Sequence, residues 1–152
     1  MRTLSPDHPP SVVAMLGYGG LISFLGLAAL PWMAPIHASL WQQAQLTYAA
    51  VILSFVGALH WGFAMLAPDL TIRTRTAAYV WSVVPALLAW AALLLPARIG
   101  ILVLILVFLA HYGLDRSLSR AMTLPAWYLP MRWRLTAVAV LSIAAGGLFS
   151  RI

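Results

Sequence analysis

Apolar stretches long enough to cross a bilayer, and free of Asp, Glu, Lys and Arg, follow one another along this chain: Val12 to Leu30, Tyr48 to Leu66 and Ala77 to Leu95. A hydrocarbon core of about 30 Å takes about 20 residues at 1.5 Å each, so each of these runs reads as a transmembrane helix. Prolines follow them at Pro31, Pro68 and Pro96, where a ring removes a donor and ends a helix. Two shorter runs, Ile99 to Leu114 and Leu135 to Phe149, reach roughly 22 to 24 Å. They read as spans that lean on flanking arginines snorkelling outward. Between the first two spans, Ile36 to Leu46 carries Gln42, Gln43 and Gln45, which suits a short interfacial helix.

The expected fold class is therefore all-α, a polytopic transmembrane bundle of five spans (about 12–30, 48–66, 77–95, 99–114 and 135–149). It forms a single integral membrane domain over 1–152, with an interfacial loop at 115–134. Composition agrees: 8% of residues are charged and the mean hydropathy is +0.94, whereas a soluble domain carries about a quarter charged residues. The absence of cysteine excludes a disulfide scaffold and a zinc ribbon. The first run is too long for a signal peptide and lacks a small-x-small cleavage site, so it reads as a retained span.

All nine basic residues are arginine. Placed on five spans, Arg2, Arg73, Arg75, Arg116, Arg120, Arg132 and Arg134 share one side, against Arg98 and Arg151 on the other. That asymmetry puts the amino terminus in the cytoplasm, or on the matrix side in an organelle. The arginines flank apolar runs instead of forming a basic stripe on a solvated element, so the net charge of +6 reads as topology and anionic lipid, with no nucleic-acid partner.

Small residues four apart mark close helix contacts in lipid. Ser54, Ala58 and Gly62 form one such stripe, Gly57 and Ala64 flank His60 on the opposite face, Ser142, Gly146 and Ser150 form another stripe, and Gly19 with Ser23 a shorter one. Two such faces on the second helix make it the central one. Pro85, inside the third span, is expected to kink it.

Ionisable groups in a span are costly and each asks for a reason. His60 lies about six residues from the cytoplasmic end of its span, and His111 with Asp115 one turn later lie near the same end of the fourth. Tyr18, Tyr79 and Trp81 fall in that leaflet too. The functional reading is a cytoplasmic-leaflet ligand site with His60 deepest, Trp61, Tyr18, Trp81 and His111 about it, and Asp115 and Arg116 at its mouth. The structural alternative gives His60 one interhelical hydrogen bond, pairs Asp115 with an arginine, and leaves His111 close enough to water to need no buried partner. The expected depths of His60 and His111 differ by several ångströms, which disfavours haem, and no compact ligand cluster supports a metal. In the segment GLDRSLSRAMTLPAWYLPMRWR, the mixture of aromatics and arginines is what the bilayer interface selects. Its sharper reading has Tyr128, Arg132 and Arg134 holding a phosphorylated or acidic lipid head group.

No Walker loop, nucleophile elbow, acid pair or HExxH occurs, so hydrolase, kinase and protease chemistry have no support. The strings YAAVILSFVGALHWG, WSVVPALLAW, GLDR and LPAWYLPMRWRLTAVAVLS resemble a functionally uncharacterised family of bacterial membrane proteins related to mitochondrial transmembrane protein 69. That resemblance runs from about Gly17 to Ser142. It implies a small multi-pass protein of a bacterial inner membrane, singles out His60, Trp61, Asp115 and Tyr128, and supplies no reaction. Three functions follow as expectations. The first is a non-enzymatic protein that binds a lipid or quinone-like amphiphile, or a partner membrane complex, through the His60 site, with the spare small-residue faces open to self-association. The second is a small proton-coupled transporter using His60, and the third a lipid-modifying membrane enzyme.

Overall fold

The computed structural model describes residues 8–68 and 70–148. They form five helices, α1 Ser11–Met33, α2 Ala38–Leu66, α3 Ile72–Leu93, α4 Ala97–Ala121 and α5 Tyr128–Gly147, with a 3₁₀ turn at Pro35–His37 before α2. The all-helical class expected from hydropathy holds. Round the bundle the packing order is α1, α2, α3, α4, α5 and back to α1, and α2 also reaches α4 and α5 across the centre. The expected central place of the second helix is thus met.

Four described helical segments are long and apolar enough to cross a bilayer: Ser11–Met33, Pro35–Leu66, Ile72–Leu93 and Ala97–Ala121. The fifth expected span is not among them. Although α5 has 20 residues, its first two turns hold Arg132 and Arg134, and its apolar run from Leu135 to Leu148 covers only about 21 Å. Residue 149 lies outside the described residues, as do Arg2, Arg151 and Ser150.

Helix ends differ from the apolar runs because a backbone inside a bilayer must satisfy its own polar groups and continues through polar residues whose side chains find partners. Pro31 does not end α1, which continues to Met33. Residues 38–46 are no interfacial helix but the first turns of α2, with Gln42 and Gln45 buried. Gln45 Nε2 donates to the Ser142 carbonyl at 2.8 Å, so its amide is spent on α5. The expected loop at 115–134 is mostly helix: α4 runs on to Ala121 and α5 starts at Tyr128.

Small residues mark close contacts selectively. Gly57, His60 and Ala64 form the buried face of α2, and a Cβ on Gly57 would stand 3.0 Å from the Ser82 carbonyl and 3.3 Å from the Pro85 ring. Pro85 thus packs into α2 while α3 continues unbroken past it. A Cβ on Gly146 would collide with the Gln45 side-chain oxygen. The Ser54–Ala58–Gly62 stripe has no such partner: Ala58 is exposed and open space faces Gly62. Gly19 and Ser23 are likewise exposed. On the core side, Phe24 packs edge-on to Tyr48 and Phe108, and Arg75 on α3 caps α2 by donating to the Ala64 and Ala67 carbonyls, each at 2.9 Å.

Candidate functional site

The buried stripe of α4 runs Gly100, Ile101, Leu104, Val107, Phe108, His111, Asp115, Leu118, the three-and-four spacing of one helix face. It continues straight through the two ionisable residues. Because α4 extends to Ala121, Asp115 lies as far from the end of α4 as His60 lies from the end of α2. Whatever their depths, His60 and His111 meet, with ring centroids 4.8 Å apart. His60, His111 and Asp115 are 2%, 1% and 1% exposed. Asp115 is therefore not at a mouth but at the centre of a buried cluster.

Five side chains from three helices, α2, α4 and α5, meet there. Asp115 Oδ2 accepts from Arg132 Nε at 2.8 Å and Oδ1 accepts from the Tyr128 hydroxyl at 3.1 Å. His60 Nε2 is 3.6 Å from Oδ1 and His111 Nε2 is 3.9 Å from Oδ2. A sixth side chain, Trp81 on α3, donates its indole N–H to His111 Nδ1 at 2.9 Å. Phe63 closes the top, edge-on to His60 and Tyr128. The expectation that His111 needs no buried partner is overturned, since it lies well inside a helix that outruns the apolar run. The pairing of Asp115 with an arginine is met by Arg132, the member of the arginine-rich segment that α5 turns inward.

The other expected site residues are not brought together. Arg116 is exposed on the far side of α4. Trp61 is 50% exposed and packs against Tyr79. Tyr18, 37% exposed, meets Arg134 Nη1 at 3.4 Å. The head-group trio is split: Tyr128 and Arg132 face Asp115, and Arg134 faces outward. Beside His60 a cleft of about 190 Å³ opens between α3 and α4, lined by Thr74, Ala78, Trp81, Ser117 and Leu118. Thr74 and Ser117 were not singled out in the sequence, where nothing in their spacing marks them.

Three protonation-capable groups in one place raise the question of a metal. One ligand atom each from His60, His111 and Asp115 lie within 4.8 Å of one another, a compact set that the sequence did not offer. Two contacts oppose a cation there. A metal-bound imidazole donates its other N–H, but His111 Nδ1 accepts from Trp81, which is donor-only, so His111 carries its proton on Nε2, the atom that would have to bind. Arg132 already neutralises the carboxylate. Ring centroids 4.8 Å apart also leave no room for a porphyrin between the two imidazoles. What the cluster does offer is a buried neutral ion pair flanked by two imidazoles, with no hydrogen-bond partner among the described residues for either His60 nitrogen. Buried polar atoms left without a partner ask for a functional explanation.

Comparison with known proteins agrees with the membrane reading. The family described as "Protein of unknown function (DUF3429)" matches residues 9–148. Transmembrane protein 69 of Xenopus tropicalis is 34% identical over 139 residues, covering 88% of this chain and 53% of that protein. The chain thus spans about half the length of this relative. No solved structure matches it.

Proposed function

The chain belongs to the DUF3429 family of unknown function and is a multi-pass helical membrane protein related to transmembrane protein 69, and within that frame we propose that it is a binding protein for the polar head of a membrane amphiphile. The head enters the cleft between α3 and α4 and meets His60. The observation that carries this reading is that His60, 2% exposed, lines the cleft with neither ring nitrogen hydrogen-bonded among the described residues. Apolar walls with few convergent polar groups are what ligand sites present. At about 190 Å³ the cleft is smaller than the roughly 300 Å³ of a drug-sized site, so it takes a single ring or small head while the tail lies along the lipid-facing surface. A quinone-like ring between Trp81 and His60 fits that description. The setting proposed is a bacterial inner membrane with the arginine-rich end cytoplasmic, supported by Arg73, Arg75, Arg116, Arg120, Arg132 and Arg134 at one end of the described bundle against Arg98 at the other.

Native mass spectrometry of protein extracted gently from its own membrane tests the reading. A stoichiometric amphiphile on the wild type, absent from a folded His60→Ala variant, is expected. Equal retention by both overturns it. The meeting of His60, His111 and Asp115 favours a second reading, a proton-coupled carrier, since titratable chains in pumps and transporters gather in this way. That reading requires pH-dependent flux in liposomes that His60→Ala abolishes.

A further inference from the structure

On the flank opposite the cleft, a crevice of about 110 Å³ lies between α1, α2 and α5. Its walls are apolar apart from Thr136 and Arg132 at its base, and its rim residues Leu16 and Phe55 are 69% and 65% exposed, so it opens sideways toward lipid. Arg132 is 7% exposed. Its Nε is spent on Asp115, whereas no hydrogen bond is made by its two terminal amino groups among the described residues. A guanidinium carries five N–H donors and no acceptor, and Arg132, which lines this crevice, has donors beyond the one given to Asp115.

Charge decides what those donors accept. Asp115 cancels the Arg132 charge within 2.8 Å, and an anion added to an apolar crevice beside a neutral pair would carry an uncompensated charge, which burial penalises. A neutral oxygen acceptor carries no such cost. Depth decides which one. Arg132 is one turn into α5, about 6 Å from its start, next in the chain to Trp133, which is 51% exposed, at the level where exposed tryptophans mark the bilayer interface. An oxygen at that level with a hydrocarbon chain leading inward is the acyl ester of a glycerolipid.

We infer that the crevice is a lipid site in which the terminal amino groups of Arg132 hold a glycerolipid ester carbonyl, the acyl chain running inward past Leu21 and Phe24. This site is separate from the His60 cleft. The experiment compares retention, by native mass spectrometry of the whole protein, of a diacyl phosphatidylcholine and the diether lipid with the same head group and chain lengths but no carbonyl. The diacyl lipid is expected to be retained about tenfold better or more, the worth of one hydrogen bond to a charged donor. Arg132→Lys, which keeps the charge beside Asp115 but loses the fork, is expected to remove the preference. Where that variant does not fold, Gly20→Leu decides: the glycine lines the crevice away from the polar cluster, and a Cβ placed on it would meet only the Tyr48 hydroxyl, at 3.4 Å. Filling the crevice in this way is expected to abolish the preference with helicity retained. Equal retention of both lipids by the wild type overturns the inference, and so does a preference that survives in folded Gly20→Leu. A preference lost in His60→Ala but kept in Gly20→Leu would place the ester in the cleft and overturn it as well, whereas failure of the cleft reading alone leaves the diacyl preference in place.

Discussion

Replacing Arg132 by Met removes the charge that pairs with Asp115 and leaves a carboxylate that is 1% exposed with one remaining donor, the Tyr128 hydroxyl. Both partners are buried and the bond is 2.8 Å, so solvent screening gives little relief. Breaking such a pair from one side costs about 3 to 5 kcal/mol. With roughly 2 to 4 °C per kcal/mol for a chain of this size, the melting temperature should fall by about 6 to 20 °C. Replacing Asp115 by Asn leaves a buried guanidinium instead, and should cost a comparable amount. The two together leave no buried charge, and replacing a whole buried pair by neutral groups is often close to neutral in stability. The double variant should therefore be clearly more stable than Arg132→Met alone. The assay is a double-mutant cycle of thermal unfolding in one detergent at one pH, followed by circular dichroism. Additive losses, with a coupling below about 0.5 kcal/mol, would refute the assignment of Asp115 and Arg132 as one buried unit.

Three further outcomes follow from particular contacts. Gly146→Leu drives a side chain into the Gln45 carboxamide oxygen and displaces its bond to Ser142, which should cost roughly 2 to 4 kcal/mol from overpacking plus one lost hydrogen bond; a thermal melt unchanged from wild type would disprove the α2–α5 contact. Nitrogen NMR of labelled histidine should find His111 protonated on Nε2 and not on Nδ1, with Trp81→Phe releasing Nδ1 to solvent or a new partner; an Nδ1–H tautomer in the wild type would contradict the indole bond and reopen a metal at this position. Since the chain has no cysteine, single cysteines at Thr123 and Leu95 report orientation without a background. An impermeant maleimide applied outside intact cells should label Leu95→Cys and spare Thr123→Cys, and the reverse pattern would invert the proposed topology.

Membrane class and the central place of α2 were legible in the sequence because both rest on local chemistry: uncharged length for the spans, and small residues three and four from His60 for the contact face. Helix ends were not, because hydropathy stops counting where polar letters begin. On α4 the apolar run breaks at Asp115, yet the buried face carries on to Leu118. Gln42 and Gln45 misled in the same way. A polar residue at the head of an apolar run is equally compatible with an interface and with a buried amide, and only the carbonyls of Ser142 and Gly146, about a hundred residues on, decide between them.

The site divides along the same line. His60 stands out in any reading because it is an ionisable group deep in a span, and Asp115 with His111 follows from one turn of helix. Tyr128 and Arg132 do not, because a stretch of tryptophan, tyrosine and arginine has the composition of a bilayer interface whichever way its side chains point. Their direction is set by rotation of α5 against α4, a tertiary quantity, and the four-residue step from Tyr128 to Arg132 is what allows both to reach one carboxylate. The next basic residue, Arg134, is two positions further round the helix, so it must face away, and it meets Tyr18 on α1 instead. One helix thus supplies the counter-charge of the buried cluster from one face and a surface contact from another, which explains why an arginine-rich interface segment and a charge-neutral core site occupy the same few residues.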